Sequence, residues 1–398
     1  MPQKILIVNK FFYPRGGDCV HTINLVRLLE SKGHEVAVFA MEHSENLPTR
    51  WADYFPSEVE FAGAKRALPA VRRVFGGANV QANFKRLLDD FQPDVVHLQN
   101  IHSQLSPVVA KLAYKRKIRV VWTLHDYKLL CPAYSCLCRG EVCERCYTRK
   151  QNVVFRRCLK GSLAASAIAY AEALMWRREQ LQEWTHCFIC PSAFMRKKMS
   201  QGGFKDAKLN VLCNFVSSGY SQVALSLSTE EQAYAYVGRI SKEKGIETLL
   251  RVAATLPHTL YVAGHGDLTD ELRAQYAEHK QIVWLGQLTP DEVRQLFARV
   301  RFSVVPSECY ENNPLSLIES LCTGTPVLGA RIGGIPELIN EKENGVTFEA
   351  MNGDDLRQGI IYLFENRLNS KQQIQDNALQ LFSPDRYYDN LIRIYTED

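Results

Sequence analysis

Short apolar runs alternate with amphipathic stretches along nearly all of this 398-residue chain, and they do so in two successive series. The first series of strand candidates is Ile5–Val8, Val36–Ala40, Val95–Leu98, Val120–Leu124 and Cys187–Cys190. The second is Tyr234–Val237, Leu260–Ala263, Ile282–Leu285, Phe302–Val305 and Val327–Gly329. Helix-period segments intervene, among them Val20–Ser31, Ile246–Leu256, Asp270–His279, Asp291–Val300 and Leu315–Thr323. Alternation of this kind builds parallel sheets covered by helices, and the chain is too long for one ordinary core. The expected fold class is therefore α/β with two Rossmann-like domains, 1–213 and 214–383. Their junction is expected in the polar, Ser-rich segment Asn214–Ser228. A final helix-like stretch, Pro384–Tyr395 within 384–398, either extends the second domain or packs back on the first.

Composition is that of an average globular protein, 46% hydrophobic and 23% charged. No apolar run approaches the roughly 20 residues of a membrane-spanning helix, and the start has no signal-peptide layout. A cytoplasmic location is expected. Residues 1–213 hold 32 Lys+Arg against 18 Asp+Glu, a net +14, while the remainder carries −9. Basic clusters such as Lys65-Arg66, Arg72-Arg73, Lys115-Arg116-Lys117 and Arg156-Arg157 suit peripheral attachment to an anionic membrane face or a phosphate-bearing lipid. Plain solubilising charge is the equal alternative. Nucleic acid is not expected as a partner, because no binding signature accompanies the charge.

The densest chemistry lies in Glu311-Asn-Asn-Pro-Leu-Ser-Leu-Ile-Glu319, which continues through Gly324-Thr-Pro-Val to Gly333-Gly334. Asn313 reads as the N-cap, Pro314 as the first helical residue and Gly324 as a terminator. The helix would aim its positive end at the space beside Glu311, where phosphate binds readily. Leu315, Leu317, Ile318 and Leu321 are expected to face the core, with Ser316, Glu319, Ser320 and Thr323 on another face. Tyr236-Val-Gly-Arg239-x4-Lys244-Gly ends one strand and opens a helix, so a guanidinium and an ammonium fall at a strand end. Gly264 belongs to a Gly-x-Gly turn that permits close backbone approach. In the first half, Gly16-Gly17 opens the first long helix, a place for phosphate or a sugar oxygen. His97, His102 and His125 lie at or just beyond strand ends, and His125 beside Asp126 is the best candidate for a cleft.

Together these motifs resemble the retaining glycosyltransferases of family 4, with the two-domain GT-B fold. The resemblance implies a nucleotide-diphosphate-sugar donor of UDP or GDP type on the C-terminal domain. It implies a glycan or lipid-linked glycan acceptor on the N-terminal domain, in cell-surface polysaccharide biosynthesis. Arg239 and Lys244 would then hold the diphosphate, Glu319 the ribose hydroxyls and Glu311 the donor sugar. Gly16 and Gly17 would border the phosphates, and His125 would contact the sugar near its anomeric centre. Many members carry Gly-Phe-Gly where this chain has Asn312-Asn313-Pro314, so the donor-sugar pocket, continued by Leu315, is where its own specificity is expected. Leaving-phosphate charge would be stabilised without a metal, and no Asp-x-Asp pair occurs. Retention proceeds either with the leaving phosphate accepting the acceptor's proton or, ranked lower, through Glu311 as covalent nucleophile. A catalytically silent nucleotide-sugar scaffold is the alternative from another class.

Six of 12 cysteines crowd into residues 131–158, directly after His125. Cys143-x-x-Cys146 has metal-ligand spacing, and Cys131 and Cys158 would complete four thiolates around a structural zinc. Free thiols in a loop are the competing expectation.

Overall fold

The computed structural model describes residues 2–59, 67–217, 219, 220 and 231–397. Lys65-Arg66 and most of the Ser-rich junction, residues 221–228, lie outside the described residues, as do the side chains of residues 67–70. The chain divides into two compact units, Met1–Leu212 with Tyr388–Asp398, and Cys213–Tyr387.

In the first unit the strands are β1 (Lys4–Val8), β2 (Glu35–Phe39), β3 (Val95–Leu98), β4 (Arg119–Thr123), the small hairpin β5 (Leu137–Cys138) and β6 (Glu141–Val142), β7 (Cys187–Cys190) and β8 (Leu209–Val211). Six of them form a parallel sheet in the order β2-β1-β3-β4-β7-β8. Ile5, Leu6, Ile7 and Val8 are wholly buried, as expected of a strand covered on both faces, where an unbroken apolar run replaces alternation. The second unit repeats the plan with β9 (Glu231–Val237), β10 (Thr259–Ala263), β11 (Ile282–Gly286), β12 (Val300–Val305), β13 (Val327–Ala330) and β14 (Gly345–Phe348), ordered β11-β10-β9-β12-β13-β14. Its core stacks Tyr234 of β9 on Phe302 of β12, with ring centroids 5.3 Å apart.

Each sheet therefore has six strands where sequence reading finds five. The extra ones, β8 and β14, sit at sheet edges; two of the three β8 residues are exposed and β14 has only Val346 and Phe348 as large apolar residues, so neither forms an unbroken apolar run. The closing helix runs Pro384–Thr396. Tyr387 packs on Phe215 within the second unit, with centroids 4.4 Å apart. In the first unit the hydroxyls of Tyr388 and Tyr395 lie 2.9 Å from His34 Nε2 and 2.6 Å from His97 Nδ1. No helix among the described residues is long and apolar enough to cross a membrane.

Candidate active site

Both sheets have a point where the strand order reverses. In the second unit the chain runs from β9 outward through β10 and β11, then returns to the other side of β9 as β12. Loops leaving the carboxyl ends of β9 and β12 thus diverge and leave a crevice, the usual ligand site of such sheets. The β9 loop carries Arg239 and Lys244, and the β12 loop carries Glu311. Lys244 Nζ lies 2.5 Å from Glu311 Oε1, and Ser307 Oγ donates to the same oxygen at 2.6 Å. Burial opposes charge on both partners, yet each keeps it. The Lys244 ammonium and the two hydrogen bonds hold the Glu311 carboxyl below its usual range, and Glu311 in turn raises Lys244. Arg239 is exposed, 3.4 Å from Glu243.

The Glu311 loop is braced from below. Gly333 has φ of 62°, and a Cβ there would stand 2.3 Å from the Glu311 carbonyl oxygen, which also accepts from Gly334 N at 2.7 Å. Only glycine permits that approach. Gly264 plays a similar part, since its Cβ would meet the Gly238 carbonyl at 1.9 Å. The Gly-x-Gly turn is thus needed to pack the β10 loop against the β9 loop.

Three expectations about the Glu311–Glu319 segment need correction. Asn313 does not cap the helix. Its Oδ1 accepts from Asn214 N at 2.9 Å and its carbonyl from Asn214 Nδ2 at 2.9 Å, tying this loop to the start of the unit. Pro314 takes the N-cap position in place of the first helical one, and the helix spans Leu315–Cys322 without a side-chain cap. Its first intrahelical bonds are donated by Leu317 and Ile318 to Pro314, so the Leu315 and Ser316 amides lie ahead of the ladder. Ser320 and Thr323 are buried and not on an outer face; Ser320 shares a 2.7 Å hydrogen bond with Ser303 of β12, since β12 and β13 cover that side. Glu319 is half-buried, accepts from the Tyr220 hydroxyl at 3.0 Å, and burial pushes its carboxyl up to about 7, against the pull of Tyr220 and Arg294.

In the first unit the reversal lies between β1 and β3. Asn9, beyond β1, accepts from Asn100 N at 3.0 Å, and Asn100 Nδ2 donates to Asp18 Oδ2 at 2.8 Å. Gly16 stands at the N-cap of the helix Gly17–Ser31 in extended conformation, with no side-chain cap. Asp18, in the first turn, occupies part of that positive end. Burial would raise its carboxyl, but Lys10, His125 and the Asn100 amide hold it below the usual range. His125, just past β4, is 2.7 Å from Gln99 Oε1 and edge-on to His21. Burial pulls its imidazole below the usual range, against the raising effect of Asp18 and Asp126. His97 is a core residue between Tyr395 and Thr123 Oγ1.

Sequence reading missed Lys10 and Asp18, although both stand in or beside the Asn9–Asp18 turn, and it missed Gln99, Asn100 and Ser307, each within two residues of a strand end. Tyr220 reaches Glu319 across 99 positions, which no local signal reveals. The zinc expectation does not fit the geometry. Among the described residues no group of three or more His, Cys, Asp or Glu is placed to hold a metal ion. Of the four thiols, Cys131 hydrogen-bonds with Cys146, and with Cys136 outside the set, while Cys158 hydrogen-bonds with Cys138.

Two doubly wound units, each with candidate site residues at its strand reversal, define the α/β class known as GT-B. A family model described as Glycosyltransferase Family 4 matches residues 15–219, just over half the chain, and one described as Glycosyl transferases group 1 matches 222–381. The chain belongs to glycosyltransferase family 4. It is 24% identical to an uncharacterized 42.6 kDa protein in the cps region of Klebsiella pneumoniae, over 99% of this chain and 100% of that one. It is also 24% identical to the lipopolysaccharide core biosynthesis glycosyltransferase LpsE of Rhizobium meliloti, over 54% of this chain and 61% of that protein. Among solved structures, Anabaena HepE in complex with UDP and glucose is similar over 100% of both chains, with TM-score 0.68 and 17% identity.

Proposed function

We propose that this glycosyltransferase moves a sugar, with retention and without a metal, from a nucleoside-diphosphate donor to a glycan or lipid-linked glycan of a cell-surface polysaccharide. In this reading the second unit binds the donor and the first the acceptor, in the cytoplasm. Free thiols throughout, all twelve cysteines, suit a reducing compartment. The observation that carries the reading is the Lys244–Glu311 pair across the β9/β12 reversal, with Arg239 on the same loop.

Breaking the sugar–phosphate bond leaves negative charge on the diphosphate. Lys244, Arg239 and the amides of Leu315 and Ser316 are fixed donors for it, and fixed donors need no reorganisation as charge develops. The diphosphate oxygen that departs then accepts the proton of the acceptor hydroxyl, which attacks from the same face. Glu311 accepts hydrogen bonds from the donor sugar. With Oε1 already bonded to Lys244 and Ser307, it is better suited to that than to forming a covalent bond. Glu319 receives the ribose hydroxyls, and Asn312 and Asn313 border the sugar. His125, held by Gln99, serves the transfer step. The relatives named above, one in a cps region, one in lipopolysaccharide core biosynthesis and one crystallised with UDP and glucose, support this substrate class.

Thermal unfolding with uridine, guanosine and adenosine diphosphates, then with their sugars, tests it. A saturating ligand at a hundred times its Kd stabilises by about 2.7 kcal/mol. One diphosphate should raise Tm in the wild type and not in Lys244→Ala. No shift with any of them overturns the donor assignment, and binding without turnover of any donor favours a scaffold.

A further inference from the structure

The first unit carries an exposed apolar surface that the strand-reversal sites do not use. The helix Leu163–Met175 contains one charged residue, Glu172, and it is buried against Lys128 Nζ at 2.8 Å. At 100° per residue, Leu163, Ala167, Ala171 and Leu174 fall within about 80° of arc. All four are exposed, Leu163 by 53% and Leu174 by 49%, while Ser166, Ala169 and Glu172 on the opposite arc are buried. The short helix Asn152–Phe155 packs on this one and ends in Phe155, which is 78% exposed. A helix aliphatic on its outer side, beside a bare aromatic ring, is suited to lie in an interface.

Charge selects the occupant. From Arg145 to Ala171 there are six Lys and Arg and no Asp or Glu. Lys150 is engaged with the carbonyls of Leu129 and Leu130 and Arg156 with Cys138 Sγ, but Arg145, Arg149, Arg157 and Lys160 are exposed. A second copy would set these cations against their own kind, whereas an anionic bilayer takes up both the cations and the apolar face.

We propose that this face, centred on Phe155, Leu163 and Leu174 and rimmed by Arg157 and Lys160, seats the first unit on a membrane containing anionic lipid. The helix has 13 residues, short of the roughly 20 needed to span, and lies in the plane of the interface. The inference is independent of the proposed reaction, and its test uses no substrate. The full chain is floated with vesicles of phosphatidylcholine, alone or mixed with phosphatidylglycerol. Recovery is expected with the anionic vesicles and should fall as salt is added. Arg157→Ala with Lys160→Ala should lower partition roughly thirtyfold at low salt. Phe155→Ser with Leu163→Ser and Leu174→Ser should abolish recovery without lowering Tm, because all three are exposed. Failure of the wild type to float with anionic vesicles at low salt overturns the proposal, as does recovery unchanged in both variants. It is equally overturned by a dimer in sedimentation equilibrium that the triple variant dissolves while neither form floats.

Discussion

At the strand reversal of the second unit, Lys244 pairs with Glu311 and Arg239 stands nearby, two cations converging where an anion would sit. At that of the first unit, imidazoles and amides surround the half-buried carboxylates of Asp18 and Asp126, with Lys10 beside them, and burial depresses His97, His102 and His125 alike. Topology has given both sheets the same address, but the contents answer different needs. On the proposed reading, one would stabilise charge that develops on a leaving group, and the other would meet neutral hydroxyls and their protons. Net charge would have suggested the reverse, since the first half is basic and the second acidic. Most of the first half's cations are spent elsewhere on its surface, so a domain's overall charge is a poor guide to its site.

The contrast breaks most sharply at Lys244. Removing one fixed donor to developing charge typically costs about 100- to 1000-fold in turnover. Lys244→Ala should fall in that range, with calorimetry showing weaker diphosphate binding, and Glu311→Ala should lower turnover through the lost sugar contact and the unpaired Lys244. Unchanged affinity would remove Lys244 from the donor site. His125→Ala should lower turnover about 100-fold while leaving diphosphate affinity intact. If affinity falls and turnover does not, the two reversals do not divide the labour as proposed.

A third test separates the two carboxylates of the second unit by pH. Glu311 is held low, so its share of stability is present above the usual carboxylate range and is lost on acidification. Glu319 has the opposite sign. Its carboxyl titrates near 7 when folded and near 4.5 when unfolded, so between those values the folded state binds more protons and stability falls as pH rises. Glu319→Gln should stabilise by about 1–3 kcal/mol near pH 8 and change little near pH 4. Chemical denaturation at the two values measures this, and equal shifts at both would show that Glu319 is not buried as described.

Much of this was legible from local pattern. The two strand series, the pairing of the Arg239–Lys244 turn with Glu311, and the placement of His125 all follow from strand ends and helix starts. What escaped the sequence was decided by tertiary contact. Asn313 has every property of an N-cap, yet Asn214, 99 residues away, claims its oxygens. Tyr220 became the partner of Glu319 through packing that no spacing encodes. The cysteines show the converse, ligand-like spacing for which no group of three or more ligands is placed to hold a metal ion among the described residues.

The smallest expected effect follows from those cysteines and bears on whether the first unit holds a metal ion. The insertion after His125 is fastened by ammonium groups: Lys150 Nζ donates to Leu129 O at 3.0 Å and Leu130 O at 2.5 Å, Lys128 pairs with Glu172, and Lys198 with Glu144. Cys143 is half-buried and its amide donates to Cys136 O at 2.7 Å, a backbone bond that serine would keep. Cys143→Ser should therefore change stability by less than about 0.5 kcal/mol, within the range of ordinary surface substitutions. Lys150→Ala, which takes the ammonium from two part-buried carbonyls, should cost about 1–3 kcal/mol. Zinc in purified protein, together with a large loss from Cys143→Ser, would reverse that order. It would also place a metal in the insertion that follows His125, adding a cation in the first unit to the Lys10 that faces Asp18.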